Sequence, residues 1–149
     1  MFSQARFVVV TRHPLAVAMS HKRWPCCGNM QLGTLIMHWI KQHQLMQADA
    51  PKVRQFMWLR YEELAEEPER HLQEVCAFAG LPPHTFQELG THVKRDSNGK
   101  YVQQYREALA NPKGAASHAG LLKRFEKDIQ ALELGYSLRD FEPDGWKTG

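Results

Sequence analysis

Residues 6–14 read Arg6-Phe7-Val8-Val9-Val10-Thr11-Arg12-His13-Pro14, an apolar run that is followed closely by a proline. Its apolar part has no polar alternation, which is typical of a strand buried on both faces of a parallel sheet. Proline is favoured as the first residue of a helix, so we place a helix start at Pro14 and continue the helix to Lys22. The stretch therefore predicts a strand over Arg6–Thr11 that is followed at once by a helix.

A second helix and a second strand follow this junction. Residues 24–29 contain proline and glycine and predict a loop. The helix over residues 31–46 is indicated by apolar side chains at helical spacing, namely Leu32, Leu35, Ile36, Trp39 and Ile40. Residues 55–61 form another apolar run and predict the second strand.

Three further helices are predicted after the second strand. The first begins at Pro68, ends near Gly80 and has a buried stripe of Leu72, Val75, Cys76 and Ala79. Residues 81–98 contain several helix breakers and predict irregular structure. The last two helices are marked by apolar and aromatic side chains: Tyr101, Tyr105 and Ala108 in one, and Leu121, Leu122, Phe125, Ile129 and Leu132 in the other.

This order of elements is the pattern of a parallel sheet flanked by helices, so the predicted fold class is α/β. The 149 residues suit a single domain, which we predict over residues 1–149. Two strands make a thin sheet, because open sheets usually contain more. We therefore expect a strand of the usual sheet to be missing.

Composition excludes several classes of protein. A content of 43% hydrophobic and 23% charged residues is that of a folded soluble chain rather than a disordered or collagen-like one. The net charge of +3 is too small to indicate nucleic-acid binding. No apolar run approaches the roughly 20 residues of a membrane span, and residues 1–10 do not resemble a secretory signal. We expect no nucleic-acid or membrane partner and a cytoplasmic location.

The cysteines and histidines do not predict a metal site. Cys26 and Cys27 are adjacent and Cys76 stands apart, which is neither a disulfide framework nor a zinc-binding spacing. Adjacent cysteines can coordinate a metal or oxidise together, but we interpret these as ordinary thiols in a reducing compartment. The eight histidines show no HxxxH or HExxH pattern. We therefore expect no metal cofactor.

The junction at Arg12 is the strongest candidate for a ligand site. Side chains at the carboxyl end of a parallel strand face the crevice where α/β sheets bind ligands, and a helix start offers free N–H groups. Arg12 can hold a phosphate with two charge-assisted hydrogen bonds. Ser20 lies about 9 Å along the helix from Pro14, so a phosphate that contacts both Arg12 and Ser20 would rest on the helix flank. From these residues alone, a surface arginine and a helix-face serine are the alternative.

The same residues carry a family resemblance. Arg12-x-Pro14 with Ser20 behind an apolar strand resembles the 3′-phosphate-binding element of the PAPS-dependent sulfotransferases, PAPS being 3′-phosphoadenosine 5′-phosphosulfate. Residues 59–68 (LRYEELAEEP) resemble the RYEDL…P segment of that family. Residues 75–81 (VCAFAGL) and the LGY at 134–136 resemble its later helix ends. The resemblance runs from Arg6 to Tyr136 and is greatest to the bacterial, carbohydrate and tyrosylprotein branches.

This resemblance implies a function. Members of the family transfer a sulfuryl group from PAPS to an acceptor hydroxyl or amine. By position, Arg12 and Ser20 would bind the 3′-phosphate and Tyr61 would contact the adenine. Tyr61 also has a physical reason to do so, because it is expected at the end of the second strand, level with Arg12, with a flat face and a polar tip. A half-buried core tyrosine is the alternative.

The chain also departs from the family pattern. Family members carry a strand, a P-loop-like phosphosulfate loop and usually the catalytic base upstream of the arginine strand, whereas 11 residues precede Arg12. The resemblance therefore implies a P-loop-like fold that lacks its first strand and its phosphosulfate loop. We expect an N-terminally truncated domain for which a missing segment or a partner chain supplies the rest. Gly28-x₄-Gly33-Thr34 has P-loop spacing but lacks the lysine, and we interpret it as coincidence. Residues 113–120, which Lys123 and Arg124 follow, are expected to form an ordinary loop before a helix, with a flexible basic loop over the nucleotide as the alternative.

No catalytic base is assigned from the sequence. His13 is expected to face away from Arg12, and His118 to lie at the edge of the core. Tyr101 and Tyr105 share a helix face, and we favour a packing role for both.

Two functional hypotheses remain. The first is a sulfotransferase that uses PAPS and an acceptor whose identity the sequence does not give, with activity of this chain alone left open. The second is a non-catalytic nucleotide-binding or interaction module derived from that fold. A fragment of a kinase-like P-loop protein is disfavoured because the chain has no glycine-lysine loop.

Overall fold

A computed structural model describes residues 5–85 and 97–141 of the chain. The strands are β1 (Arg6–Thr11) and β2 (Gln55–Arg60). The helices are α1 (Pro14–His21), α2 (Leu32–Asp49), α3 (Tyr61–Glu66), α4 (Pro68–Ala79), α5 (Ser97–Leu109) and α6 (Pro112–Gln130), with short 3₁₀ turns at Ala50–Lys52 and Leu138–Phe141. Two compact units divide the chain: a strand unit of Met1–Arg12 and Gln47–Ser97, and a helical unit of His13–Met46 and Asn98–Gly149.

The strand unit contains the predicted parallel sheet. β1 pairs with β2 in parallel, in a register that sets Arg6 opposite Gln55 and Thr11 opposite Arg60. These are the two strands of the described residues, so the thin sheet expected from the sequence is confirmed for that part of the chain. The mixed helix and sheet content agrees with the predicted α/β class. The P-loop-like character of the fold stays a prediction.

The prediction that β1 is buried on both faces is wrong. Phe7, Val8 and Val10 are 43%, 38% and 53% exposed. The reason is that β1 has β2 as its one neighbouring strand within the described residues and receives helix cover from α4. Apolar side chains therefore remain on the surface of this short sheet, as expected where a sheet is thin.

The helices of the strand unit differ in detail from the prediction. β2 ends at Arg60, and Tyr61 begins the unpredicted six-residue helix α3. Gly80 ends α4 as predicted: its φ of 72° is left-handed, and the Gly80 and Leu81 amides donate to the carbonyls of Ala77 and Cys76. The stripe assigned to α4 (Leu72, Val75, Cys76 and Ala79) is only half-buried, whereas His71 is its buried residue.

The helical unit holds the apolar core. Its largest fully buried apolar side chains are Leu15, Ile36, Ile129 and Leu138. The predicted apolar face of α2 is confirmed at Leu35, Ile36, Trp39 and Ile40, although α2 continues to Asp49. Tyr101 and Tyr105 are buried in the same core, which confirms the packing role predicted for them.

The region before the stripe of α6 is helical, so the predicted loop over residues 113–120 is wrong. Pro112 occupies the first turn of α6, and the Asn111 side-chain oxygen accepts a hydrogen bond from the Gly114 amide at 2.8 Å. A Cβ on Gly114 would lie 1.8 Å from the carbonyl oxygen of Ala108. Helix α6 therefore starts early because a cap and a close backbone approach fix its first turn.

The P-loop spacing at Gly28 and Gly33 has a packing explanation. Gly28 lies in the turn before α2, and Gly33 lies in the first turn of α2. A Cβ on Gly33 would be 3.3 Å from Cε2 of Phe125 in α6, so the glycine permits close helix packing. This packing role agrees with interpreting the P-loop spacing of Gly28 and Gly33 as a coincidence.

Candidate functional site

The candidate site lies at the carboxyl ends of the two strands. β1 and β2 end at Thr11 and Arg60, which are opposite each other, and Arg12 and Tyr61 follow them directly. Because the strands are parallel, their carboxyl ends share one edge of the sheet. The guanidinium carbon of Arg12 lies 4.4 Å from the centroid of the Tyr61 ring. Two of the three predicted site residues are therefore in direct contact.

Tyr61 reaches this position in a different element from the predicted one. It is the first residue of α3 rather than the last residue of β2. Its side chain is half-buried, as is that of Arg12. The change of element leaves Tyr61 level with Arg12, because the register Thr11 opposite Arg60 brings the following residues side by side.

The Arg12–Tyr61 contact orients a positive charge. A guanidinium above an aromatic ring is stabilised by roughly 0.5–1 kcal/mol where the pair is partly exposed. Stacking engages the face of the guanidinium, whereas a phosphate is bound by the N–H groups along its edge. The contact with the Tyr61 ring involves the guanidinium carbon at 4.4 Å, so it can hold Arg12 in place while N–H groups of Arg12 bind an anion.

Sequence reasoning missed two residues beside this pair. Thr11 is 2% exposed, and its hydroxyl has no hydrogen-bond partner among the described residues. Arg60 contributes a second guanidinium, which pairs with the Glu63 carboxylate at 3.3 Å. Their position in the sequence could have indicated them, since both are polar residues that end apolar strands at the same sheet edge as the candidate site.

Ser20 belongs to the helical unit. It is the seventh of the eight residues of α1 and is half-buried. Its carbonyl oxygen accepts a hydrogen bond from the Arg23 amide at 3.1 Å, in the turn that ends the helix. The role of Ser20 in phosphate binding stays a prediction.

The two histidines examined as base candidates make structural contacts in the helical unit. Nδ1 of His13 accepts a hydrogen bond from the Leu15 amide at 3.2 Å, and Nε2 donates to the Ser137 carbonyl at 2.9 Å. His118 Nδ1 lies 3.0 Å from the Tyr105 hydroxyl. Both rings are almost completely buried. They hold helices and chain segments together, which agrees with leaving both out of the catalytic assignment.

The part of the chain that the structure describes contains neither a cluster of metal ligands nor a membrane-spanning helix. Within residues 5–85 and 97–141, no group of three or more His, Cys, Asp or Glu side chains is arranged to hold a metal ion. Among the helices described, none combines the length and apolar character that a membrane span requires.

Comparison with models of known protein families gives a match. A family model described as "Sulfotransferase family" matches residues 1–87, a range that includes Arg12, Ser20 and Tyr61. The LGY segment at 134–136 lies outside the matched range. Searches of curated proteins and of solved structures found no match. Because residues 1–87 are more than half of the 149-residue chain, the chain belongs to the sulfotransferase family.

Proposed function

We propose that this protein binds 3′-phosphoadenosine 5′-phosphosulfate and takes part in transfer of its sulfuryl group to an acceptor hydroxyl or amine. Membership of the sulfotransferase family supports the reaction class, and that family generally uses PAPS as co-substrate. The observation that carries the nucleotide assignment is the contact of Arg12 with Tyr61 at the carboxyl ends of adjacent parallel strands.

Each site residue has a distinct task in this proposal. Arg12 binds the 3′-phosphate through its edge N–H groups, and Ser20 contributes a hydroxyl to the same phosphate. Tyr61 contacts the adenine, since its ring offers a flat apolar surface next to the phosphate-binding cation. The buried Thr11 hydroxyl supports a polar ligand at this edge, because an unsatisfied buried hydroxyl costs about 1–3 kcal/mol.

The reaction sets the chemical demands on the site. The acceptor oxygen or nitrogen attacks the sulfur atom, the bond from sulfur to the 5′-phosphate oxygen breaks, and adenosine 3′,5′-bisphosphate leaves. Positioning of the donor and stabilisation of the charge that develops on the leaving phosphate are the main sources of rate enhancement. Arg12 and Tyr61 serve the first demand by holding the nucleotide end that does not react.

Calorimetric titration with adenosine 3′,5′-bisphosphate tests the proposal, with AMP as the ligand that lacks a 3′-phosphate. We expect the bisphosphate to bind more tightly than AMP. Replacement of Arg12 by alanine should weaken bisphosphate binding by about tenfold or more, since a charged hydrogen bond contributes about 1.5–3 kcal/mol. AMP binding should change little in Arg12→Ala.

Arg54→Ala is the matched control for charge. Arg54 is an exposed arginine of the strand unit that precedes β2, whereas Arg12 follows the carboxyl end of β1. Its loss should leave bisphosphate affinity unchanged. Equal affinities of the folded Arg12→Ala and wild-type proteins would refute the assignment of Arg12.

One observation favours the second hypothesis, a non-catalytic interaction module. Phe7, Val8 and Val10 expose apolar surface on β1, and such a strand can pair with another polypeptide. On this hypothesis the chain self-associates through β1 and does not distinguish the bisphosphate from AMP. Sedimentation velocity over a range of concentrations, with Val8→Lys as the variant that blocks association, separates it from the first hypothesis.

A further inference from the structure

The turn between α1 and α2 brings two thiols together. Sγ of Cys26 lies 3.3 Å from Sγ of Cys27, and neither cysteine is in a disulfide. Cys26 is exposed and Cys27 is half-buried against the core of the helical unit. The thiol–thiol hydrogen bond from Cys26 raises the pKa of Cys27 above its usual value. The pair is therefore an accessible dithiol whose two sulfur atoms lie side by side.

Backbone hydrogen bonds fix the turn that carries this pair. The Cys27 amide donates to the Trp24 carbonyl at 3.0 Å, and the Met30 amide donates to the Cys27 carbonyl at 3.0 Å. The ammonium of Lys22 donates to the Met30 carbonyl at 2.8 Å, so a side-chain hydrogen bond also joins the two ends of the turn. The short distance between the sulfur atoms is thus supported by an ordered backbone.

Neither a disulfide nor a structural zinc site fits the geometry of this cysteine pair well. Adjacent residues joined by a trans peptide have Cα atoms about 3.8 Å apart, below the roughly 4.4–6.8 Å of ordinary disulfides. A disulfide between Cys26 and Cys27 would therefore be strained. A structural zinc ion needs four ligands, and the described residues contain no third His, Cys, Asp or Glu placed to join the pair. A ligand that accepts two thiolates and no more is the better match.

We propose that Cys26 and Cys27 form a binding site for a thiophilic centre with two positions for sulfur, of the class of monosubstituted trivalent arsenic compounds. With an arsenoxide R–As=O, two As–S bonds form and two S–H bonds break. The arsenoxide oxygen leaves as water with both thiol protons. Arsenic stays trivalent and no oxidant or reductant is consumed. This site is independent of the nucleotide-binding function proposed above.

Phenylarsine oxide is the probe for this site. Intact mass spectrometry of the full chain should show the mass of one added phenylarsine oxide less one water. The adduct should persist in excess 2-mercaptoethanol and disappear with 2,3-dimercaptopropanol, because a monothiol does not compete with a chelating pair. Cys26→Ser and Cys27→Ser should each lose the monothiol-resistant adduct, whereas Cys76→Ser, which changes the cysteine outside the turn, should retain it. Retention of the adduct by Cys26→Ser, or its loss in Cys76→Ser, would overturn the site.

The contribution of the folded turn is tested separately from that of sequence adjacency. The same titration in urea removes the backbone hydrogen bonds but keeps the two cysteines adjacent. We expect affinity at least about tenfold weaker in the unfolded chain, since a preorganised site avoids the cost of ordering the two side chains. Equal affinity in the folded and unfolded chains would show that adjacency alone binds the probe, and would overturn the geometric argument.

Discussion

The strand unit and the helical unit differ in where their apolar side chains lie. Among the described residues, Leu59 is the one buried apolar side chain of the strand unit, and the others belong to the helical unit. In the strand unit, by contrast, Phe7, Val8 and Val10 of β1 are exposed. The Arg12–Tyr61 contact belongs to the strand unit. Arg12 and Tyr61 therefore lie in the unit with the smaller buried apolar core, whereas Ser20 belongs to the helical unit.

This contrast shows that the Arg12–Tyr61 contact lies outside the unit with the larger buried apolar core. Different interactions stabilise the two units. Helical packing removes large apolar areas from water, at about 25 cal/mol per Å². The strand unit depends more on backbone pairing between β1 and β2, on a helix-ending glycine and on polar contacts of exposed side chains. The effects of substitutions on the free energy of unfolding should accordingly differ between the two units, both in magnitude and in pH dependence.

The largest expected effect is a cavity in the helical core. Ile129 is 1% exposed in α6, so Ile129→Ala should lower the free energy of unfolding by about 2–5 kcal/mol. Val10→Ala is the control, because Val10 is 53% exposed on β1 and should cost less than about 1 kcal/mol. Urea denaturation followed by circular dichroism measures both values. Similar losses for the two variants would contradict the comparison.

A second test concerns the tightness of packing within the helical unit. Gly114→Ala places a Cβ 1.8 Å from the carbonyl oxygen of Ala108 and should destabilise the protein by about 1–3 kcal/mol. Gly120→Ala in the same helix meets no atom within 4 Å and should stabilise it by about 0.5–1 kcal/mol. Thermal denaturation of the two variants should shift in opposite directions. A shift of the same sign in both would show that the first turn of α6 is not closely packed.

The strand unit has its own critical glycine. Gly80 has a φ of 72°, a conformation that costs a residue with a Cβ about 1–2 kcal/mol. The Cβ of Gly80→Ala would also lie 2.5 Å from Nη1 of Arg6, whose flexible side chain can move aside. Gly80→Asn is the control, since asparagine tolerates this conformation better than alanine. If urea denaturation shows Gly80→Ala to be as stable as wild type, α4 does not end as described.

Sequence patterns predicted the element types well because local chemistry sets them. Consecutive apolar residues marked β1 and β2, Pro14 and Pro68 marked helix starts, and Gly80 marked a helix end. The prediction failed where contacts distant in sequence decide the outcome. Burial of β1 depends on how many strands flank it, and the first turns of α6 depend on the approach of Gly114 to Ala108.

The candidate site was predicted to a similar extent. Position after two parallel strands was enough to bring Arg12 and Tyr61 together, although Tyr61 begins a helix. No pattern indicated that the Thr11 hydroxyl would be buried without a partner among the described residues, because burial of a strand-end side chain is a tertiary property. The single truncated domain, the roles of Arg12, Ser20 and Tyr61 and the PAPS donor stay predictions.

Alkaline pH should destabilise the helical unit through a buried phenol. Burial raises the pKa of Tyr105 from 10.0 to about 12, so the folded state holds the proton more tightly than the unfolded state. The contribution of Tyr105 to the free energy of unfolding is constant below pH 10. It falls as pH rises from about 10 to 12, and the free energy of unfolding is lower by about 1 kcal/mol at pH 11. Tyr105→Phe removes the titrating group and should flatten this part of the stability curve. An unchanged slope would contradict the assignment, whatever the variant's stability at neutral pH.

The smallest expected effect comes from a carboxylate of the strand unit whose stabilising contacts are lost on acidification. Hydrogen bonds from His71 at 2.9 Å and Arg70 at 3.2 Å lower the pKa of the Glu74 carboxyl below its usual 4.5. A lowered carboxyl pKa in the folded state stabilises the protein above the unfolded value, and this contribution disappears as pH falls through the folded value. Because Glu74 is exposed to solvent, Glu74→Gln should cause only a slight loss of stability near neutral pH and none at low pH.

Urea midpoints at pH 7 and at pH 3 measure the difference, with Glu66→Gln as the control on an exposed carboxylate of α3. The Glu74 variant should differ from the control at pH 7 and converge with it at pH 3. A Glu74→Gln effect as large as that of Ile129→Ala would reverse the comparison, because polar contacts of the strand unit would then contribute as much as the core of the helical unit.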